Sequence, residues 1–142
     1  LEYVIKTYEK IVSKNNIKLN FHKIDNFKII GDRDKLIEIF TNLIDNAIKY
    51  SEKNKEVTIS SKKEGDLNIV SIADQGIGIP KEYIHRITER FFTVDPSKSR
   101  SVGGTGLGLA IVKHLVSQHR AEMDIKSIEN QGTTIDIKFN AL

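Results

Sequence analysis

Apolar residues recur along the chain with two periods, one typical of helices and the other of strands. Helical spacing predicts helices over residues 1–15, 32–50 and 107–118, and the second of these begins after Asp32 as its N-cap. Apolar and polar residues alternate, or apolar residues run together, in the segments predicted to be strands: 18–24, 27–30, 56–62, 67–74, 123–128 and 134–139. Pro80 is expected to open a short helix that extends to about Ile87.

Two of the predicted strand pairs are joined by short turns, at residues 64–66 and 130–132. Such antiparallel hairpins argue against a doubly wound parallel sheet. We therefore expect an α+β fold, a two-layer α/β sandwich in which three helices cover one face of a mixed sheet of about five strands.

Length and composition exclude several classes of protein. The 142 residues suit a single domain, and no apolar run approaches the roughly 18 residues of a transmembrane helix. The chain contains no cysteine, which rules out disulfides, thiolate metal sites and cysteine nucleophiles. A net charge of +3 does not require a nucleic-acid partner. The chain does not begin with methionine, so we expect it to be a piece of a longer protein.

The polar face of the longest predicted helix carries a row of candidate ligands. Asn42, Asn46 and Lys49 follow one another at helical spacing, and Tyr50 is close by. Amide oxygens suit Mg²⁺, and a lysine suits phosphate. The alternative is an ordinary solvated helix face.

A carboxylate ends the fourth predicted strand and is followed at once by two glycines. Asp74 could accept a hydrogen bond from an exocyclic amine such as that of adenine, while Gly76 and Gly78 let backbone approach a ligand closely. An ordinary turn with a local side-chain bond remains the alternative.

The strongest local signal is the glycine-rich run over residues 103–109, which leads directly into a predicted helix. Backbone N–H groups at such a junction bind phosphate. The spacing of the glycines matches neither the dinucleotide fingerprint nor the P-loop. A flexible glycine hinge is the alternative.

Two adjacent aromatic residues, Phe91 and Phe92, precede a basic, serine-rich segment that includes Lys98 and Arg100. We expect residues 93–103 to be a lid that orders over a triphosphate. A permanently mobile surface loop and a purely structural role for the phenylalanines are the alternatives.

The order of these signals resembles the N box, first glycine box, F box and second glycine box of sensor histidine kinases. The four segments are NLIDNAIKY (42–50), DQGIGI (74–79), ITERFF (87–92) and GTGLGLAIV (104–112). The resemblance extends from about residue 31 to residue 139. It implies the Bergerat ATP-binding fold, and details of the sequence look like the phosphate-starvation sensor branch.

The resemblance implies that ATP and Mg²⁺ are the cofactors and assigns roles to individual residues. Asn46 would coordinate Mg²⁺, Lys49 and Arg90 would contact phosphate, and Asp74 would read the adenine amine. The catalytic group would thus comprise Asn46, Lys49 and Arg90. The remaining nucleotide-binding positions are Asn42, Tyr50, Gly76, Gly78, Ile79, Phe92, Lys98, Arg100, Gly104, Thr105, Gly106, Leu107, Gly108 and Leu109.

Two departures from the family pattern stand out. The last helix ends in His119-Arg120-Ala121 where the family often has His-Gly-Gly, so we expect a different turn. None of the four histidines lies in the acidic-basic-proline context of the family's phosphoacceptor. We therefore expect residues 1–142 to be one catalytic ATP-binding domain, with the dimerisation, phosphoacceptor and sensor domains outside this chain.

The implied activity is transfer of the γ-phosphoryl group of ATP to a histidine on a separate dimerisation domain, with a response regulator downstream. We expect the fragment to be monomeric and cytoplasmic and the whole protein to be a membrane-anchored homodimer that binds no nucleic acid. One alternative is an ATP-hydrolysing motor of the gyrase or mismatch-repair type. Asn42 stands where those proteins carry a water-activating Glu. The other alternative is a nucleotide-gated binding module without catalysis.

Overall fold

The computed structural model describes residues 1–6, 8, 17–23, 25–51, 55–92 and 108–141. Five strands form one mixed sheet in the order β1-β2-β3-β5-β4, with β1 parallel to β2 and the other neighbours antiparallel. The strands are β1 (Lys18–Lys23), β2 (Glu56–Glu64), β3 (Leu67–Asp74), β4 (Glu122–Ile128) and β5 (Gly132–Asn140).

The described helices are α1 (Arg33–Tyr50) and α2 (Gly108–Gln118), and residues 2–6 are also helical. These helical segments and the sheet share one hydrophobic core, which includes Val4, Leu43 and Val112. The predicted α+β sandwich, a mixed sheet with three helices, is confirmed.

Helix α1 begins and packs as its sequence predicts. The Asp32 side chain accepts a hydrogen bond from the Lys35 N–H at 3.0 Å and so caps the helix. The apolar residues that face the core lie on one side of α1: Ile39, Phe40, Leu43, Ile44, Ala47 and Ile48 are buried, and Leu36 and Ile37 are half-buried. This burial fixes the orientation of the opposite, polar side of α1.

Two predicted elements are wrong. Residues 27–30 form no strand: their alternating burial is present, with Phe27 and Ile29 half-buried, but no neighbouring strand pairs with them. The helix after Pro80 is a single 3-10 turn, Lys81–Tyr83, followed by turns to residue 88. So short a segment does not repay the cost of nucleating an α-helix.

The end of α2 keeps a left-handed residue although it lacks the family's glycines. Ala121 N–H bonds to the Val116 carbonyl at 3.1 Å and Arg120 N–H to the Ser117 carbonyl at 3.0 Å, which is a Schellman motif. Arg120 therefore has φ +52°, the conformation that glycine would favour at this position. Whether this turn differs from that of the family stays a prediction.

His119 connects the end of α2 to the start of α1. Its Nδ1–H donates to the Leu115 carbonyl at 2.8 Å, and its Nε2 accepts the Asp32 backbone N–H at 3.2 Å. This pattern requires the neutral tautomer protonated on Nδ1. The ring thereby joins the two helices whose other ends lie at the candidate site.

We expect Arg120→Gly to stabilise the domain by about 0.5–1 kcal/mol. A side chain in the left-handed region costs about 1–2 kcal/mol, part of which is offset by the greater freedom of glycine in the unfolded chain. Urea unfolding measures the change. Lys113→Gly, in the exposed interior of α2, is the matched control and should lower stability by about 0.5–1 kcal/mol. An Arg120→Gly variant no more stable than the wild type would contradict the assignment of strain to this residue.

Candidate functional site

The carboxylate of Asp74 stands at the end of β3, with one oxygen held by backbone. Its Oδ1 accepts hydrogen bonds from the Gly76 N–H at 2.9 Å and from the Thr133 N–H at 3.2 Å. Within the described residues, Oδ2 makes no hydrogen bond. Asp74 therefore presents one oriented acceptor oxygen, as an amine-reading site needs.

Burial raises the pKa of the Asp74 carboxyl above its usual value, and the hydrogen bonds from Gly76 and Thr133 oppose this shift without cancelling it. A charged carboxylate at this position is thus kept at a cost in stability. Such an environment is common at functional sites.

The segment after Asp74 is clamped between two other backbone segments. A Cβ on Gly76 would lie 2.1 Å from the Tyr50 carbonyl oxygen, and one on Gly78, where φ is +67°, would lie 2.2 Å from that of Ile128. Ile77 is bonded on both sides, by its N–H to the Tyr50 carbonyl at 3.3 Å and by its carbonyl to the Asn130 N–H at 2.7 Å. The close approach at both glycines is that of the chain's own backbone, a role that sequence analysis did not anticipate.

The polar row of α1 is half-buried. Asn42 donates from Nδ2 to the Glu38 carbonyl at 3.0 Å, and its Oδ1 makes no hydrogen bond within the described residues. That oxygen is 3.6 Å from the position that a Cβ on Gly108 would occupy. The structure therefore brings the N box and the start of α2 together. Asn46 makes no hydrogen bond within the described residues.

The two predicted phosphate-binding cations differ in their surroundings. The Lys49 ammonium pairs with the Asp45 carboxylate one turn earlier, at 2.9 Å. Arg90 is exposed and makes no side-chain hydrogen bond or ion pair with another described residue. The pairing of Lys49 with Asp45 was not predicted from the sequence.

The two phenylalanines of the F box have opposite environments. Phe91 is 73% exposed at φ +65°, whereas Phe92 is half-buried. The Phe92 ring packs against that of Tyr83, with centroids 5.7 Å apart, and the Arg86 guanidinium lies 4.5 Å from its centroid. These contacts give Phe92 a structural role, and its contact with a nucleotide stays a prediction.

Several predicted positions lie outside the described residues: the lid with Lys98 and Arg100, and the second glycine box positions Gly104, Thr105, Gly106 and Leu107. Gly108 and Leu109, which complete that box, begin α2 and are half-buried.

The hairpin between β4 and β5 was predicted from the sequence, but the contribution of its residues to the candidate site was not. Thr133, which donates to Asp74, is one of the buried polar residues and lies directly opposite Asp74 in the β3–β5 ladder. Ser127 pairs with Thr133 on the other side. The predicted turn at residues 130–132 was the available signal, but the order of strands in the sheet was needed to show which strand end it meets.

The chain is similar in sequence to a family of ATPases and to individual sensor kinases. A model of the family described as histidine kinase-, DNA gyrase B- and HSP90-like ATPases matches residues 31–141. Sensor histidine kinase WalK of Bacillus subtilis (strain 168) is 44% identical over 106 residues, 73% of this chain and 17% of that protein. The phosphate regulon sensor protein PhoR of Pseudomonas aeruginosa is 40% identical over 109 residues, 77% of this chain and 25% of that protein. The chain thus spans a quarter or less of the length of these two relatives.

The fold of this chain also resembles solved structures of histidine kinases. The mycobacterial sensor histidine kinase MprB superposes with a TM-score of 0.82 at 29% identity, over 99% of this chain and 93% of that one. The catalytic domain of histidine kinase ThkA has a TM-score of 0.85 at 26% identity, over 99% of this chain and 89% of that one.

We expect Asp74→Asn to gain stability relative to the wild type as the pH rises. The folded-state pKa of Asp74 is raised, so the wild type loses stability as the pH rises through the interval between its unfolded and folded pKa values. The amide does not titrate, and its oxygen can still accept from Gly76 and Thr133. Urea unfolding of both proteins from about pH 3.5 to pH 7 measures the difference.

Asp66→Asn, in the exposed turn between β2 and β3, is the control for the loss of one acidic group. A constant or falling difference between Asp74→Asn and the wild type would show that burial does not dominate the environment of Asp74.

Proposed function

Because the chain belongs to the family of histidine kinase-, DNA gyrase B- and HSP90-like ATPases, and its relatives are sensor histidine kinases, we propose that it binds ATP with Mg²⁺ and supplies the γ-phosphoryl group to a histidine on a separate dimerisation domain. The whole protein would be a two-component sensor kinase that passes the phosphoryl group to a response regulator.

The observation that carries the proposal is the arrangement at Asp74. Oδ1 is occupied by two backbone N–H groups, so the carboxylate is oriented before any ligand binds. Oδ2 is then the acceptor for the exocyclic amine of adenine. Pre-organisation of this kind avoids an ordering cost on binding.

The phosphates would lie along the polar row of α1 and the start of α2. Asn42 Oδ1 faces Gly108, and backbone N–H groups at the beginning of a helix favour anions. Lys49 and Arg90 would contribute positive charge, with Lys49 exchanging its Asp45 partner for phosphate. Lys98, Arg100 and residues 104–107 belong to the proposal through the family resemblance.

The residues of the site fit a Mg²⁺ ion that arrives with the nucleotide. No cluster of three or more His, Cys, Asp or Glu side chains suited to a metal occurs among the described residues. Asn46 offers one amide oxygen, and Mg²⁺ commonly takes one or two protein ligands together with phosphate oxygens and water. When bound, the ion offsets negative charge on the phosphates.

The phosphoacceptor would come from outside this domain. His119 uses both ring nitrogens in connecting α1 and α2, and His114 Nε2 lies 3.2 Å from Gln118 Nε2. His22 and His85 are exposed, but neither lies in the sequence context of the family's phosphoacceptor. The domain's part in phosphoryl transfer is therefore positioning and charge neutralisation.

The hydrolytic motor remains the second candidate. Asn42 holds the position of the motors' general base, and its amide cannot take a proton from water at neutral pH. Glu38 is exposed and lies a full turn farther from Asn46. We therefore favour phosphotransfer over hydrolysis, and a module that only binds nucleotide would show neither activity.

No helix among the described residues is long and apolar enough to cross a membrane. From its similarity to sensor histidine kinases, and not from this finding, we propose that the domain acts in the cytoplasm as part of a membrane-anchored homodimeric sensor.

We expect Asp74→Asn to weaken ATP and ADP binding by about 1.5–3 kcal/mol through loss of a charge-assisted hydrogen bond. Calorimetric titration measures the affinity. Asp66→Asn is again the control and should bind as the wild type does. Equal affinity of Asp74→Asn and the wild type would remove Asp74 from adenine recognition.

We expect Asn46→Ala to abolish the Mg²⁺ dependence of ATP binding while leaving the fold intact. Titrating ATP with and without Mg²⁺ measures the dependence, and circular dichroism checks the fold. Asn26→Ala, an exposed asparagine before the start of α1, is the control. If Asn46→Ala still gains affinity on addition of Mg²⁺ as the wild type does, Asn46 is not the ligand.

A further inference from the structure

We propose that Ser127 is a positioning residue that holds both the carboxylate of Asp74 and the segment that follows it, residues 75–79, which we call the glycine turn. By holding them, Ser127 sets the preference of the site for adenine over other purines. The inference rests on the proposed function and deepens it.

The Ser127 hydroxyl is saturated by three partners. Its Oγ accepts the Ile79 N–H at 2.7 Å, lies 2.9 Å from the Gly132 carbonyl oxygen and 2.8 Å from Thr133 Oγ1. A hydroxyl has one proton and two lone pairs. All three bonds form at once when Ser127 donates to the Gly132 carbonyl and accepts from Ile79 N–H and from the Thr133 hydroxyl.

These partners lead directly to Asp74. Ser127, Thr133 and Asp74 are consecutive neighbours across the sheet, on β4, β5 and β3. Thr133 N–H donates to Asp74 Oδ1 at 3.2 Å. Ser127 thus fixes the side chain of the residue whose backbone holds the carboxylate.

Ser127 is also connected to Asp74 through the glycine turn. Gly76 N–H donates to the same Asp74 oxygen at 2.9 Å, and Ile79, three residues later, is bonded to Ser127. Between them, Gly78 rests against the Ile128 carbonyl with no room for a Cβ. Both backbone donors to Asp74 therefore depend on the end of β4.

The turn also has an attachment that does not involve Ser127. Asn130 N–H bonds to the Ile77 carbonyl at 2.7 Å. Loss of the Ser127 hydroxyl should therefore loosen the turn without detaching it. The expected result is a displaced acceptor oxygen in a folded protein.

The test compares ATP with inosine triphosphate, which carries a carbonyl in place of the adenine amine. Each is titrated calorimetrically into the wild type, Ser127→Ala and Ser127→Thr. We expect the wild type to prefer ATP. We expect Ser127→Ala to lose about tenfold in ATP affinity and less than about twofold in inosine triphosphate affinity. Ser127→Thr keeps the hydroxyl and should restore the preference.

Ser71→Ala is the matched control. Ser71 is a serine on β3 whose Oγ donates to Asp136 at 2.5 Å. Neither residue of this hydrogen bond belongs to the candidate site. Its loss should leave both affinities unchanged. A general loss of stability alters the folded fraction, which circular dichroism reports, but not the ratio of the two affinities.

Thr133→Val provides a milder variant if Ser127→Ala does not fold. It removes one hydrogen bond to Ser127 and keeps the backbone N–H on Asp74. The ratio of the affinity for ATP to that for inosine triphosphate should therefore fall by about threefold. A wild type without preference for ATP would overturn the proposed adenine contact, and this inference with it. A wild type that prefers ATP, with Ser127→Ala or Thr133→Val keeping that preference in full, would overturn the inference alone.

Discussion

The site depends on the contact between the backbone after β3 and the backbones on either side of it. The carbonyls of Tyr50 and Ile128 occupy the space in which side chains at positions 76 and 78 would lie. A Cβ at about 2 Å from a carbonyl oxygen would force two rigid backbone segments apart. The end of α1, the glycine turn and the β4–β5 hairpin can meet only because both positions are glycine.

This contact explains how a buried carboxylate is kept oriented. Asp74 loses hydration where it stands, and two backbone N–H groups replace part of what water supplied. One donor comes from the glycine turn and the other from β5, so both are in place only when the three segments are packed. The polar row of α1 is positioned by the same packing, because the buried side of that helix fixes where Asn42 and Asn46 point.

The elements of the fold could be predicted because each carries its own local signal. Asp32 caps α1, and the buried stripe of that helix was apparent from its spacing. Residues 27–30 show where such reasoning fails, since their alternation is correct but a strand also needs a neighbour with unpaired backbone. Arg120 shows the same limitation for turns, because hydrogen bonds at the end of α2 impose a conformation that the residue type disfavours.

The candidate site could be predicted only in part. Asp74 and the row on α1 stand out by residue type and spacing. Ser127 and Thr133 do not, because their importance comes from lying beside Asp74 across the sheet, and the chain separates Ser127 from Asp74 by two further elements. The pairing of Lys49 with Asp45 also depends on which side-chain conformations the fold allows.

A crystal structure of the domain with ADP tests the central claim most directly, because it measures the distance from the adenine amine to Asp74. We predict that the amine nitrogen lies about 3 Å from Oδ2, while the N–H groups of Gly76 and Thr133 remain on Oδ1. An adenine bound elsewhere, or a carboxylate that leaves its two backbone donors to reach the base, would contradict the account of Asp74 as an acceptor oriented in advance by the fold.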